Sequence, residues 1–355
     1  MSMEYPDLRE ISWDVDEPTY RKDKALSYST LARFAREGFN KLEHLYDDLE
    51  TPSLTFGSAV DAVITGGLQE FNRNFLVADF PDISDNLQMI ARKIFEIYSN
   101  DYRSISNIED SELARIGAEC DFYANDKYKN YRVKLIKENC QEYYNILYAA
   151  QGKKILSTET GNQVMAAVHA LKESPQTRYY FETDNPFDKR VQRFYQLKFK
   201  ATFDGIEYRC MVDEIIVDHE HKLIYPIDLK TSSSPEWDFY KSFIKWRYDI
   251  QGRLYWRIIE DNLKRHPVFK DYKLQNYTFI VINKETLTPL VWTFPQPMVY
   301  GTLKFGSHGQ IELEDPFKLG QDLHYYLTHN AKVPIGILTT PAGNDISKWL
   351  NKLNY

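Results

Sequence analysis

The chain has 355 residues, of which 43% are hydrophobic, 15% aromatic and 27% charged. This length is ample for a large core in one or two domains. The formal net charge of −7 excludes a general attraction to nucleic acid, so nucleic-acid binding would need a local basic surface or metal ions that offset acidic side chains.

Signals for export, membrane insertion and cysteine chemistry are missing from the sequence. No apolar run approaches the roughly 18 residues of a membrane-spanning helix, and the N-terminus MSMEYPDLRE lacks the regions of a signal peptide. Cys120, Cys140 and Cys210 are widely spaced and form no CxxC, which indicates inert thiols rather than a zinc site or a disulfide framework. We therefore expect a cytoplasmic protein with no membrane partner.

The first part of the chain predicts an irregular N-terminal segment followed by helices. Residues 1–25 are polar and are expected to be irregular. Ser27 or Ser29 can cap a helix whose apolar residues recur with helical spacing through Leu42. Residues 86–172 are expected to form a helical insertion, ending in a helix near 157–172.

A further helix is expected to begin near Leu54, and it carries an acid in an apolar setting. Asp61 lies between Val60 and Ala62, where an unpaired buried carboxylate would be costly. Asp61 is therefore either on the exposed face of an amphipathic helix or a ligand that points into a site.

Strands dominate from residue 191 onward. The segment RVQRFYQLKFKATF alternates polar and apolar residues, Asp204-Gly205 is a strong hairpin signal, and IEYRCMVDEIIVD returns as a second strand. A polar turn at 218–222 leads to a third strand that ends at Lys230. The pattern then predicts a helix at 235–263, strands at 277–283 and 289–294, and a helix near 316–327.

Two acids and a lysine lie near the ends of the second and third strands. A turn centred near Glu220 places Asp213 opposite Ile227 or Asp228, and opposed residues have Cβ atoms about 5 Å apart. Because strand side chains alternate, Asp228 and Lys230 are expected on one side of the sheet. Two carboxylates at this spacing can share a divalent cation.

This arrangement suits metal-assisted hydrolysis of a phosphodiester bond. A divalent ion held by Asp213 and Asp228 would polarise a phosphate and activate a water molecule. Lys230 would orient or deprotonate that water, helped by a pKa lowered on burial, or would stabilise charge on the phosphate oxygens. The alternative is that the acid-x-lysine triplet has no catalytic role and belongs to a solvated strand face.

The following helix offers polar and basic side chains for a phosphate. Gln251 and Tyr255 are four residues apart and share a helix face, although a core tyrosine with a chance glutamine gives the same pattern. The basic residues expected to contact DNA are Lys245, Arg247 and Arg253; others nearby are Lys241, Arg257, Lys189, Arg190, Arg193, Lys198 and Lys200. Such charge runs are also found on solvated faces.

Taken together, these motifs resemble the PD-(D/E)XK nuclease superfamily, in particular its RecB-like and phage exonuclease branch, which includes RecE and lambda exonuclease. Asp213 matches the first strand acid, Asp228-Leu229-Lys230 the acid-x-lysine motif, and Gln251 to Tyr255 (QGRLY) the glutamine-tyrosine helix. FGSAV at 56–60 resembles the segment that precedes a metal-binding histidine in many relatives. The resemblance covers roughly residues 26–294.

The resemblance implies an α/β (α+β) fold with an αβββαβ, restriction-endonuclease-like core within a nuclease domain at 26–300, followed by a C-terminal extension at 301–355. It implies one or two Mg²⁺ or Mn²⁺ ions, held by Asp213, Asp228 and the main-chain carbonyl of Leu229. Asp61 stands where relatives carry the histidine, and would hold or help hold a second ion. No cysteine follows Cys210, so no iron–sulfur cluster is expected.

The sequence thus predicts a metal-dependent DNA nuclease, most simply a phage-type exonuclease of recombination, repair or replication. Its expected partners are DNA, a single-strand annealing or other recombination protein, and further copies of itself; a phage-encoded protein would work in the host cytoplasm. Two alternatives stay open: an endonuclease with the same residues, and a non-catalytic DNA-binding or assembly protein whose site has decayed at Asp61.

Overall fold

The computed structural model describes residues 5–47, 51–306, 309 and 311–329. The chain forms two compact units: unit 1 comprises Met1–Glu50 and Ala170–Tyr355, and unit 2 comprises Thr51–His169. Most of the predicted C-terminal extension, from residue 330 onward, lies outside the described residues. Within the described residues, the helices are all too short or too polar to cross a membrane.

The helices and strands alternate in blocks along the chain. The helices are α1 (Glu17–Lys22), α2 (Tyr28–Glu37), α3 (Pro52–Asn74), α4 (Asp85–Tyr98), α5 (Asp110–Glu119), α6 (Lys129–Asn139), α7 (Gln141–Ala150), α8 (Thr158–Glu173), α9 (Phe239–Trp246), α10 (Tyr248–Arg265) and α11 (Pro316–His329). The strands are β1 (Phe75–Val77), β2 (Lys154–Leu156), β3 (Val191–Phe203), β4 (Ile206–Asp218), β5 (Leu223–Ser232), β6 (Lys273–Leu274), β7 (Tyr277–Asn283), β8 (Pro289–Phe294), β9 (Leu303–Phe305) and β10 (Ile311–Leu313).

Unit 1 is organised around a sheet of mixed direction. Its strand order is β3-β4-β5-β7-β8, with the short β6 beside β5. Strands β3, β4 and β5 form an antiparallel meander, β7 pairs parallel with β5, and β8 pairs antiparallel with β7. The predicted α+β class, the meander and the strands at 277–283 and 289–294 are confirmed.

The hairpin between β3 and β4 forms where the sequence predicts it. Asp204 and Gly205 both have positive φ angles, 52° and 78°. Two-residue turns of this kind match the right-handed twist of the flanking strands, and Asp-Gly adopts them readily. The β3–β4 register therefore follows from local sequence, with Phe203 opposite Ile206 at the turn and Val191 opposite Asp218 at the far end.

One face of the sheet is covered by α10. This helix packs against β3, β4 and β7, and also contacts α2 and α11. Its apolar side chains join those of the strands in one hydrophobic core, including Ile250, Leu254, Ile258, Ile215, Val217, Ile224 and Phe279. Because Ile215 and Ile224 point to α10, strand alternation directs Asp213 and Asp228 to the same face.

Two expectations differ from the structure. The helix predicted at 235–263 is split into α9 and α10 at Arg247, which has a left-handed φ of +58° and whose side chain binds Asp249 at 2.8 Å. The segment 1–25, predicted to be irregular, contains a 3-10 turn at Leu8–Ile11 and α1. Asp16 caps α1 by accepting a hydrogen bond from the Thr19 N–H at 2.7 Å.

Unit 2 is mostly helical, as its sequence predicts. Helices α4 to α7 share a core that includes Ile90, Ile94, Leu113, Ile136 and Tyr144. Strands β1 and β2 add a short parallel pair. Helix α3 begins after the cap Thr51 and changes direction at Gly67, where φ is +68°.

Candidate metal centre

Asp213 lies where strands β4 and β5 separate. The ladder between them runs from the Asp218–Leu223 pair to the Glu214–Ile227 pair. Beyond that pair, a side-chain contact joins the two strands: Asp213 Oδ2 accepts a hydrogen bond from the Leu229 N–H at 2.8 Å. Extending the register by one residue brings Asp213 level with Asp228, one of the two positions that the sequence predicted.

The strand on the other side of Asp213 is distorted at the same level. Tyr195 pairs with Glu214 and Leu197 with Val212, so Gln196 faces Asp213. Gln196 has a φ of +53°, an unusual conformation for a residue with a side chain. The ladders on both sides of Asp213 are thus interrupted at one point.

Asp228 is buried against the first turn of α10. The Gln251 side-chain amide donates a hydrogen bond to its Oδ1, and the Lys230 ammonium contacts its Oδ2. The Asp213 carboxyl also interacts with Asp228. The structure thus brings together Asp213, Asp228, Lys230 and Gln251, and confirms that Asp228 and Lys230 project to one side.

The electrostatics of this cluster are those of a buried charge pair. Burial raises the pKa of Asp228 above its ordinary value, although Lys230, Asp213 and Gln251 oppose the shift. Burial is the largest single influence on Lys230 and would lower its pKa, but the interactions with Asp228, Tyr248 and Asp213 together outweigh it and the pKa is raised. The expected lowering of the Lys230 pKa is therefore wrong: the pKa is raised, which favours the cationic form of Lys230.

Aromatic rings enclose the lysine and the carboxylates. The Lys230 ammonium lies 5.1 Å from the centre of the Tyr248 ring. Tyr255 is buried one helical turn after Gln251, with its ring centre 6.2 Å from that of Tyr277. Burial raises the pKa of the Tyr255 hydroxyl well above its ordinary value. Its core position agrees with a packing role, and its contact with phosphate stays a prediction.

The donor set fits a hard divalent cation. Such ions take oxygen ligands from carboxylates, carbonyls and water. Among the described residues, Asp228 Oδ2 has no hydrogen-bond partner, its Lys230 contact aside, and Gln251 Oε1 is buried without one. The described part of the chain contains no group of three or more His, Cys, Asp or Glu side chains placed to hold a metal. A cation here would therefore need carbonyl or water oxygens in addition; the Leu229 carbonyl remains the predicted one.

Asp61 lies in α3 of unit 2, whereas the carboxylate pair belongs to unit 1. It is half-buried, and its main-chain carbonyl accepts a hydrogen bond from the Thr65 hydroxyl at 2.9 Å. Whether Asp61 holds a second ion stays a prediction.

A second buried acid, Glu214, was missed from the sequence. It lies on the opposite face of β4 from Asp213, close to Arg193 and Tyr195 of β3. The nearest Arg193 nitrogen is 3.8 Å away, and neither carboxylate oxygen has a hydrogen-bond partner of normal geometry among the described residues. Burial raises the pKa of Glu214 to about 8. The signal in the sequence is a second acid, directly after Asp213 and before the apolar run Ile215 to Val217.

The predicted DNA-contacting cations fall into two groups. Lys245 is exposed, whereas Arg247 is half-buried and binds Asp249. Arg253 is fully buried, and its guanidinium donates to the carbonyls of Val299, Gly301 and Glu314. Arg253 therefore ties α10 to the segment after β8. Its expected contact with phosphate is wrong in this structure, because its donors are already used inside the protein.

The sequence matches no protein-family model, and no curated protein matches it. Among solved structures, one from Eubacterium rectale, named "putative exonuclease", is 14% identical with a TM-score of 0.46 and covers 91% of this chain and 89% of its own. The crystal structure of SSO0001 is 13% identical with a TM-score of 0.23 and covers 69% of this chain and 86% of its own. Both TM-scores are too low to carry an argument about this chain.

Proposed function

We propose that unit 1 is a divalent-metal-dependent nuclease with a PD-(D/E)XK-type core, which hydrolyses phosphodiester bonds in DNA. One observation carries the proposal: the paired carboxylates of Asp213 and Asp228, with the Lys230 ammonium on Asp228, at the point where two strands separate. The predicted order of three antiparallel strands, a helix and a strand also agrees with the β3–β5 meander, α10 and β7 of unit 1.

In this proposal each residue has a defined task. Asp213 and Asp228 would hold Mg²⁺ or Mn²⁺, with the Leu229 carbonyl as a further ligand. When bound, the ion acts as a Lewis acid on the phosphate and lowers the pKa of a bound water. Lys230 is a fixed cation beside the carboxylates, where it can orient that water or stabilise negative charge that develops on the phosphate oxygens.

Gln251 positions one of the ligands. Its amide donates to Asp228 Oδ1, which fixes the orientation of the carboxylate and leaves Oδ2 beside Lys230. Partners of this kind orient metal ligands and affect metal affinity without touching the ion. The start of α10 adds a favourable field, since helix N-termini stabilise nearby negative charge.

Within the nuclease class we propose a phage-type exonuclease, on the strength of the glutamine-tyrosine motif that follows the acid-x-lysine motif. The proposed substrate is DNA in recombination, repair or replication, and a single-strand annealing protein or further copies of this chain are proposed partners.

The test uses end-labelled linear DNA and closed circular DNA with Mg²⁺, Mn²⁺ or EDTA. We expect metal-dependent cleavage of the linear DNA and none in EDTA. Cleavage of the circles would replace the exonuclease by an endonuclease. If no metal supports cleavage of either DNA, the nuclease proposal fails and a non-catalytic DNA-binding protein takes its place. Asp228→Asn, purified in the same way, controls for contaminating nucleases.

A further inference from the structure

Helix α9 and the 3-10 turn before it carry large aromatic side chains that are partly or largely exposed. Trp237 is 76% exposed, Tyr240 46% and Trp246 41%. Phe239 and Phe243 of the same helix are buried and belong to the hydrophobic core of unit 1. We call Trp237, Tyr240 and Trp246 the aromatic strip.

Cations accompany the aromatic strip. The Lys245 ammonium lies 4.9 Å and the Arg36 guanidinium 5.2 Å from the centre of the Trp246 ring. At the other end, the Lys241 ammonium lies 5.8 Å from the centre of the Tyr240 ring. The surface therefore offers apolar ring faces and positive charge side by side, inside a protein whose net charge is −7.

A chain of contacts joins the aromatic strip to the carboxylate pair. The Tyr28 hydroxyl donates a hydrogen bond to the Trp246 carbonyl at 2.9 Å. The Tyr28 ring centre lies 6.2 Å from that of Tyr248, and the Lys230 ammonium lies 5.1 Å from the Tyr248 ring. Lys230 contacts Asp228. The Trp246 main chain and the candidate metal centre are thus linked through the side chains of Tyr28, Tyr248 and Lys230 in unit 1.

We propose that the aromatic strip binds an unpaired single strand of DNA by stacking its bases, next to the carboxylate site. This proposal rests on the proposed nuclease function and specifies its substrate as a strand with unpaired bases. Base stacking on aromatic rings combined with nearby cations is how proteins hold single strands with little sequence preference. A duplex hides its base faces, so it would use the cations but not the exposed Trp237 ring.

Charge places the phosphates at one end of the strip. Lys241 is paired with Asp238 at 2.9 Å, which offsets its charge. Arg36 and Lys245 both lie over Trp246. The backbone of a bound strand is therefore held mainly at the Trp246 end, and Trp237 contributes stacking rather than charge.

The test measures binding of a labelled oligothymidylate, an abasic oligonucleotide of equal length and a blunt hairpin duplex, by fluorescence anisotropy in EDTA, where no cleavage occurs. The wild-type protein should bind the oligothymidylate more tightly than the abasic strand. Trp237→Ala should weaken oligothymidylate binding about tenfold, as expected for the loss of one stacked base, and leave abasic binding unchanged. Trp237→Phe should retain most of the affinity.

Phe187→Ala is the matched control, because Phe187 is 96% exposed and lies outside the strip, in the segment before β3. It should bind all three ligands like the wild type. Equal binding of oligothymidylate by Trp237→Ala and wild type would overturn the proposal, as would an equal loss for the abasic strand and the duplex. Cleavage with metal is measured separately, so a protein that stacks bases but cuts no DNA would refute the nuclease function alone.

Discussion

The two faces of the β4–β5 pair each bury an acid, and the two acids have opposite surroundings. Asp228, 1% exposed, has an ammonium, an amide and a second carboxyl beside it. Glu214, 2% exposed, has an arginine at 3.8 Å and unsatisfied oxygens. Burial raises the pKa of both. A buried carboxyl is thus not by itself a sign of a site; the convergence of further charged and polar groups on Asp228 distinguishes it.

The largest expected difference between the two acids is in catalysis. Asp228→Asn keeps the shape of the side chain but removes the ligand charge, so DNA cleavage with Mg²⁺ should fall at least about a thousandfold. Glu214→Gln makes the same chemical change on the other face and should keep activity within about twofold. Initial rates on labelled linear DNA test this pair. Similar cleavage rates for Asp228→Asn and Glu214→Gln would show that Asp228 has no special role in catalysis.

Lys230 should come next in effect. Lys230→Met removes the cation beside the carboxylates while keeping an apolar stem, and cleavage should fall about a hundredfold to a thousandfold through lost charge stabilisation. The matched control is Lys264→Met, since Lys264 is exposed and paired with Glu260. Circular dichroism spectra of both variants should match that of the wild type, which would show that both are folded. If Lys230→Met cleaves like wild type, Lys230 has only a structural role.

Gln251 should have a smaller effect, because it acts through Asp228. Gln251→Leu removes the hydrogen bond to Asp228 Oδ1 and should lower activity and metal affinity about tenfold to a hundredfold. Raising the Mn²⁺ concentration should restore part of the rate, which a purely structural defect would not allow. A rate that stays low at saturating Mn²⁺ counts against a positioning role.

Glu214 should show its effect in stability rather than in rate. Its pKa rises from 4.5 to about 8 on folding, so between these values the folded state holds a proton that the unfolded state has lost. Stability from this group is therefore full below about pH 4.5 and is lost as the pH rises toward 8. Glu214→Gln should stabilise the protein by about 1–3 kcal/mol at pH 8 and change little at pH 5.

Urea unfolding of Glu214→Gln and wild type at the two pH values measures this difference, provided that m-values agree. A stability gain for Glu214→Gln that is the same at pH 5 and pH 8 would show that Glu214 is not a proton-binding group in the folded state.

Much of the sheet was predictable because its signals are local. The alternation along β3 and β4 and the Asp204-Gly205 turn fix the hairpin register, and the 218–222 turn then brings Asp213 level with Asp228. The contact between Asp228 and Lys230 follows from strand alternation alone. These features need no knowledge of distant parts of the chain.

Other features depend on residues far away in sequence. Arg253 is buried because its guanidinium binds the carbonyls of Val299, Gly301 and Glu314. No local sequence pattern reveals these partners. The break at Arg247 requires a left-handed residue that propensity would not place there. Glu214 became visible only when β3 placed Arg193 and Tyr195 near it.

The central claim is that Asp213 and Asp228 hold a divalent cation. Isothermal titration of Mn²⁺ into the purified protein, without DNA, tests it most directly, with Asp213→Asn, Asp228→Asn and Glu214→Gln as the variants. We predict Mn²⁺ binding by the wild type and by Glu214→Gln, and at least about tenfold weaker binding by each aspartate variant. Unchanged Mn²⁺ affinity in Asp228→Asn would contradict the claim.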